Sequence, residues 1–85
     1  MTWGFLIANR AKRQLRRLSP HERDYIDAAF EEMRDAPYDG DIKFLKGTGG
    51  TLRRRVRDWR IVYEVDAERR IIQILEVERR STNSY

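Results

Sequence analysis

Leu52-Arg53-Arg54-Arg55-Val56-Arg57-Asp58-Trp59-Arg60-Ile61-Val62-Tyr63-Glu64-Val65 is the stretch that decides the fold. Its second half alternates strictly. Trp59, Ile61, Tyr63 and Val65 fall on one side, Arg60, Val62 and Glu64 on the other, and the residues are mostly aromatic or β-branched. That period of two is the pattern of a half-buried strand. Arg57-Asp58 reads as the tight turn of a β-hairpin, in which Asp tolerates a positive φ more readily than Arg; the turn type is left open. This placement sets Val56 opposite Trp59, Arg55 opposite Arg60, Arg54 opposite Ile61 and Arg53 opposite Val62. One face then carries Leu52, Val56, Trp59, Ile61 and Tyr63, with Arg54 as its odd member. The other carries Arg53, Arg55 and Arg60. Like charges directly across a sheet repel, so the cluster makes physical sense around an anion, and planar guanidinium suits phosphate. The bland alternative is a solvated basic strand.

Outward from the hairpin, Asp66-Ala67-Glu68-Arg69 reads as a turn and Arg70–Glu78 as a last strand. The nearly continuous apolar run of Ile71, Ile72, Ile74, Leu75 and Val77 suits a central strand covered on both faces for part of its length. Upstream, residues 37–51 read as a loop, with Phe44 and Leu45 anchoring it to the core. Its glycines lack the full spacing of a phosphate-binding loop. Ser19-Pro20 starts a helix: Ser is a good N-cap, Pro suits the first turn, and Glu22 completes a capping box. Ile26, Ala29, Phe30 and Met33 form its buried stripe, and Pro37 ends it. Before it, Asn9 is expected to cap a short basic helix whose apolar side is Ala11, Leu15 and Leu18. Thr2–Ile7 reads as a first strand.

The 85 residues make one small domain, with a thin core. There is no cysteine and one histidine, His21, so thiolate and histidine-rich metal sites are excluded, and no cofactor is expected. His21 reads as a surface residue. The first eight residues are apolar but too short to span a bilayer and lack a basic start, so no membrane association is expected. The net charge of +4 is uneven: residues 1–42 carry −1 and residues 43–85 carry +5, with 15 Arg against 3 Lys in the whole chain. Such asymmetry points to a polyanion or an acidic protein as partner.

Lys46-Gly47, the run Arg55–Val65 and the tail Glu76-Val-Glu-Arg-Arg…Tyr85 resemble the RelE/ParE superfamily of bacterial toxins from type II toxin–antitoxin systems. The resemblance spans nearly the whole chain. With the elements above, it implies an α+β fold: an N-terminal strand, an αα-hairpin, then a three-stranded antiparallel meander forming a curved sheet with the helices on one face. It implies a metal-independent endoribonuclease that cuts mRNA on the ribosome in the cytoplasm, by attack of a ribose 2′-OH on the adjacent phosphate. Arg53 and Arg55 match the paired basic residues of the family's second strand, and Arg60 the arginine of its third. Arg80 matches the C-terminal basic residue that assists the leaving oxygen, and Tyr85 the terminal tyrosine that orients a base. Lys46, Arg57 and Arg79 are expected to bind RNA. An acidic cognate antitoxin is the implied partner, with operator DNA bound only through that complex. Arg replaces the Lys common on the second strand, so Lys46, Glu78 and Tyr85 remain as candidate bases. Arg57 replaces the family's turn Gly, and Arg79 the common His of the tail. The alternative within the superfamily is a ParE-type toxin that poisons DNA gyrase without cutting RNA.

Overall fold

The computed structural model describes residues 2–45, 47 and 49–79. In chain order the elements are β1 (Gly4–Ile7), α1 (Asn9–Arg16), α2 (Pro20–Asp35), β2 (Ile42–Phe44), β3 (Leu52–Val56), β4 (Trp59–Asp66) and β5 (Ile71–Arg79). They form one five-stranded sheet in the order β1-β5-β4-β3-β2. The meander β3-β4-β5 is antiparallel, as expected. To it the structure adds β1, parallel on β5, and β2, antiparallel on β3.

The hairpin forms in the expected register, Val56 with Trp59 through Leu52 with Tyr63. Its turn is strained in an unexpected place. Arg57, not Asp58, takes the positive φ of 55°, a conformation in which Cβ crowds the following carbonyl. Between β4 and β5 the register slips after Val62: Tyr63 pairs with Ile74, but Val62 pairs with Glu76. The extra residue, Leu75, is a β-bulge. It shifts the inward positions from Ile72 and Ile74 to Val77, all buried, and so accounts for the nearly continuous apolar run.

The helices cover one face of the sheet. Ala11 and Leu15 of α1, and Ile26, Ala29, Phe30 and Met33 of α2, meet Leu52, Ile61, Tyr63, Ile72, Ile74 and Val77. The α2 capping box is present: the Glu22 amide donates to Ser19 Oγ at 3.2 Å and the Ser19 amide to Glu22 Oε1 at 2.9 Å. The cap of α1 differs from expectation. Ala8, not Asn9, is the N-cap. Its amide is still bound to the sheet through the Ile74 carbonyl, while its own carbonyl accepts the first helical bond from Lys12, both at 2.9 Å. The strand runs into the helix with no residue left over for a side-chain cap. Likewise β1 starts at Gly4 rather than Thr2, because the Trp3 amide donates to the Arg34 carbonyl at the end of α2. Beyond Ile74, β1 has ended, and Gln14 of α1 accepts the Val77 amide at 2.6 Å in its place.

Within the segment read as a loop, Ile42–Phe44 is a strand. The expected anchor is also corrected. Phe44 is 68% exposed, and Ile42 packs on the core instead. Both point to the helix side, opposite Arg54 and Leu52, but β2 is the outermost strand and Phe44 lies at its end.

Arg54, the odd residue of the apolar face, is only 6% exposed. Its guanidinium binds the Glu32 carboxylate of α2 and donates to the Asp39 carbonyl at 2.6 Å. Nearby, the buried Tyr63 hydroxyl donates to the Pro37 carbonyl at 2.8 Å. Together these tie the α2–β2 connection to the middle of the sheet. Burial pushes the Tyr63 hydroxyl up to about 12, despite the opposing influence of Arg54. A raised folded value means stability is intact below the unfolded value of about 10 and is lost as pH rises from there towards 12. Tyr63→Phe should therefore be less stable than wild type at neutral pH by about 1–2 kcal/mol, with the difference shrinking above pH 10. Urea melts at pH 7 and pH 11 test this; a difference that does not change with pH would contradict it.

Candidate functional site

Because the hairpin register is fixed at its turn, Arg53, Arg55 and Arg60 stand on the face opposite the helices, alternating with the core residues Leu52, Ile61 and Tyr63. Val62, across from Arg53, is buried on this arginine face and is not part of the helix-side core. The three guanidiniums differ in exposure: Arg53 is 13% exposed, Arg60 31% and Arg55 44% by side chain.

Arg55 and Arg60 are directly opposed, the least favourable arrangement for like charges. Each turns to a carboxylate on its own flank. Arg60 reaches across to its neighbour on β5, donating from Nε to Glu78 Oε1 at 2.9 Å and also from Nη2. Arg55 leans the other way, towards Asp41 just before β2, whose Oδ2 is 3.8 Å from its Nε. Asp41 Oδ1 lies 3.6 Å from Arg53 Nη1. Part of the repulsion expected among the guanidiniums is thus relieved within the chain.

Other predicted residues lie elsewhere. Arg57 and Arg79 are on the helix side. The Arg57 guanidinium sits over the Tyr25 ring at 4.9 Å, and that of Arg79 over Trp59 at 5.9 Å and 3.6 Å from Glu22 Oε2. The Ser19 amide holds the Glu22 carboxyl below the usual carboxylate range, helped by Arg79. His21 stands edge-on to Tyr25 at 5.7 Å and is exposed. These residues make a second cationic-aromatic group around the start of α2, apart from the arginine face. Lys46, Arg80 and Tyr85 lie outside the described residues.

Of the three candidate bases, Glu78 is therefore the one that can be placed, and it shares the face with Arg60. Among the described residues no cluster of His, Asp or Glu could hold a metal ion, and no helix is long and apolar enough to cross a membrane. Sequence reasoning overlooked Asp41, which reads there as part of the loop over residues 37–51. It also overlooked the pairing of Arg60 with Glu78, because the bulge puts Glu76 rather than Leu75 opposite Val62 and so decides which β5 residues face the arginines. Without that slip Val77, an apolar residue, would face Arg60.

A cationic sheet face with interleaved carboxylates can bind phosphate and stabilise charge that develops on it. The family model described as the ParE toxin of type II toxin-antitoxin system, parDE, matches residues 5–84. No curated protein sequence matches the chain at a significant level. Among solved structures, the RelE–RelB complex from the archaeon Pyrococcus horikoshii is 24% identical, with 96% of this chain and 99% of that one covered and a TM-score of 0.81. The toxin–antitoxin complex RelBE2 from Mycobacterium tuberculosis is 26% identical over 94% and 100% of the two chains, with a TM-score of 0.80. The isolated RelE toxin of E. coli is 20% identical over 96% and 88%, with a TM-score of 0.83, a likeness of fold.

Proposed function

Because the chain belongs to the family of ParE toxins of type II toxin–antitoxin systems, we propose that it is a toxin that inhibits translation as a metal-independent, ribosome-dependent mRNA endoribonuclease. The reading rests on one observation above all: Arg53, Arg55 and Arg60 share a single sheet face. In this reading the scissile phosphate lies among those guanidiniums. The ribose 2′-oxygen attacks phosphorus, the bond to the 5′-oxygen breaks, and a 2′,3′-cyclic phosphate and a 5′-OH result. Arginine holds and neutralises the phosphate but is too basic to remove the 2′-OH proton. Glu78, whose Oε1 is held by Arg60, is the acceptor we assign. The leaving 5′-oxygen takes its proton from solvent, assisted by Arg80, and Tyr85 orients a base. Lys46, Arg57 and Arg79 contact RNA further out. The preorganised positive charge supplies the main rate term, as such electrostatics commonly do.

The partner we propose is an acidic antitoxin whose carboxylates pair with the same arginines and close the site. Two of the similar structures are toxin–antitoxin complexes. Operator DNA is contacted through that complex, and the site of action is the cytoplasm, where ribosomes are.

A second reading has its own support, since the matching family model carries the ParE name. In it the arginine face binds protein and poisons DNA gyrase. Mapping mRNA 5′ ends on ribosomes after induction separates the two. New 5′-OH ends within codons at the ribosomal A site are expected. DNA breaks with intact mRNA would select the gyrase reading.

A further inference from the structure

We propose that Arg53 and Arg55 form an anion subsite whose resident occupant is the chain's own Asp41, and that an RNA phosphodiester enters by displacing that carboxylate. The proposal rests on the nuclease reading above and adds the order in which the arginines are engaged. The Asp41 carbonyl accepts the Arg55 amide at 2.9 Å, so the main chain holds Asp41 beside the two guanidiniums whatever its side chain does. The carboxylate is shared between them, at 3.6 Å from Arg53 and 3.8 Å from Arg55. Both distances exceed a hydrogen bond, which for such pairs runs to about 3.2 Å. Arg53 Nη1 is buried and has no hydrogen-bond partner among the described residues. The side chain of Asp41 is itself 58% exposed. It therefore offsets charge without satisfying the donors, and it has water to move into.

Arg60 is the opposite case. It is bonded from two nitrogens to Glu78, and an incoming anion must compete with formed hydrogen bonds there. A phosphate, with several acceptor oxygens, can meet the Arg53 Nη1 donor left without a partner among the described residues and the half-exposed Arg55 guanidinium together, in a way one shared carboxylate does not. The first contact with phosphate falls on Arg53 and Arg55, and Arg60 is engaged afterwards. Phosphate rather than protein carboxylate is favoured because the subsite already holds a carboxylate that leaves its donors unsatisfied.

The test is titration of the full chain with inorganic phosphate and with a non-cleavable 2′-O-methyl oligoribonucleotide, following the Arg53 and Arg55 side-chain N–H resonances by NMR. Asp41→Asn keeps the size of the side chain and the main-chain bond to Arg55 but removes the resident charge. It should bind both probes more tightly than wild type by roughly three- to tenfold, and the gain should vanish in Asp41→Asn/Arg55→Ala. Equal or weaker binding by Asp41→Asn, with wild-type resonances still moved by phosphate, would overturn the displaced-carboxylate proposal and leave the phosphate-binding face standing. No response at Arg53 or Arg55 in either protein would sink both. A gain seen with an acidic peptide but not with the oligoribonucleotide would overturn the proposal in favour of protein carboxylates.

Discussion

Arg60→Ala is expected to abolish growth arrest and to lower cleavage of ribosome-bound mRNA by about 10²–10³-fold, the usual cost of removing one preorganised donor from a charged transition state. The fold should survive. The Arg60 side chain is 31% exposed and its partner Glu78 29%, and a pair so open to solvent contributes up to about 1 kcal/mol to stability. Its melting temperature should fall by no more than about 8 °C for a domain of this size. Arg60→Lys is the informative companion. It keeps the charge and loses the planar fork that bonds Glu78 from two nitrogens, so partial activity is expected. Arg80→Ala should match Arg60→Ala in its effect on growth. Plating after induction, a cleavage assay on programmed ribosomes and a thermal melt together decide the matter. Full toxicity in a folded Arg60→Ala protein would mean that the arginine face takes no part in the reaction.

The largest effect on stability should come from a residue far from the arginine face. Gly40 has φ +97°, and a Cβ there would lie 2.5 Å from Arg54 Nη1 and 2.8 Å from Cζ. A flexible surface arginine would simply move aside. Arg54 is buried and bonded to Glu32 and to the Asp39 carbonyl, so yielding breaks those bonds and leaves a buried charge poorly matched. Gly40→Ala therefore combines a disfavoured backbone conformation with a broken polar anchor, and should cost about 2–4 kcal/mol. For a chain of this length that lowers the melting temperature by about 10–20 °C. If the clash with Arg54 is the cause, Arg54→Met should make the glycine substitution less damaging, so the double variant falls short of the sum of the singles. Strict additivity, or a Gly40→Ala cost under about 1 kcal/mol, would show that the guanidinium is not pinned in solution.

This buried arginine shows how far a local pattern reads. Alternation marked Arg54 as out of place on an apolar face, and it was right about the face. It offered no reason, because Glu32 lies on α2 and the space for the guanidinium depends on a glycine after that helix. Asp41 is similar. In sequence it belongs to a loop, and it becomes a counter-charge for Arg53 and Arg55 only once β2 pairs with β3. The separation of Arg57 and Arg79 from the other cations follows from contacts with Tyr25, Glu22 and Trp59, which charge counting cannot resolve.

What the sequence by itself determined is whatever depends on side-chain direction over a few neighbouring residues: the hairpin register, the shared face of Arg53, Arg55 and Arg60, the capping box at Ser19 and the buried stripe of α2. A strand turns its side chains with period two and a helix with period 3.6, whatever lies beyond them. Only the tertiary structure decided that β1 lies parallel on β5, that β2 closes the other edge, that a bulge brings Glu78 beside Arg60, and that Asp41 stands between two guanidiniums. Each of these joins residues distant along the chain, and such pairings are selected by packing and charge across the whole domain, which no local period encodes.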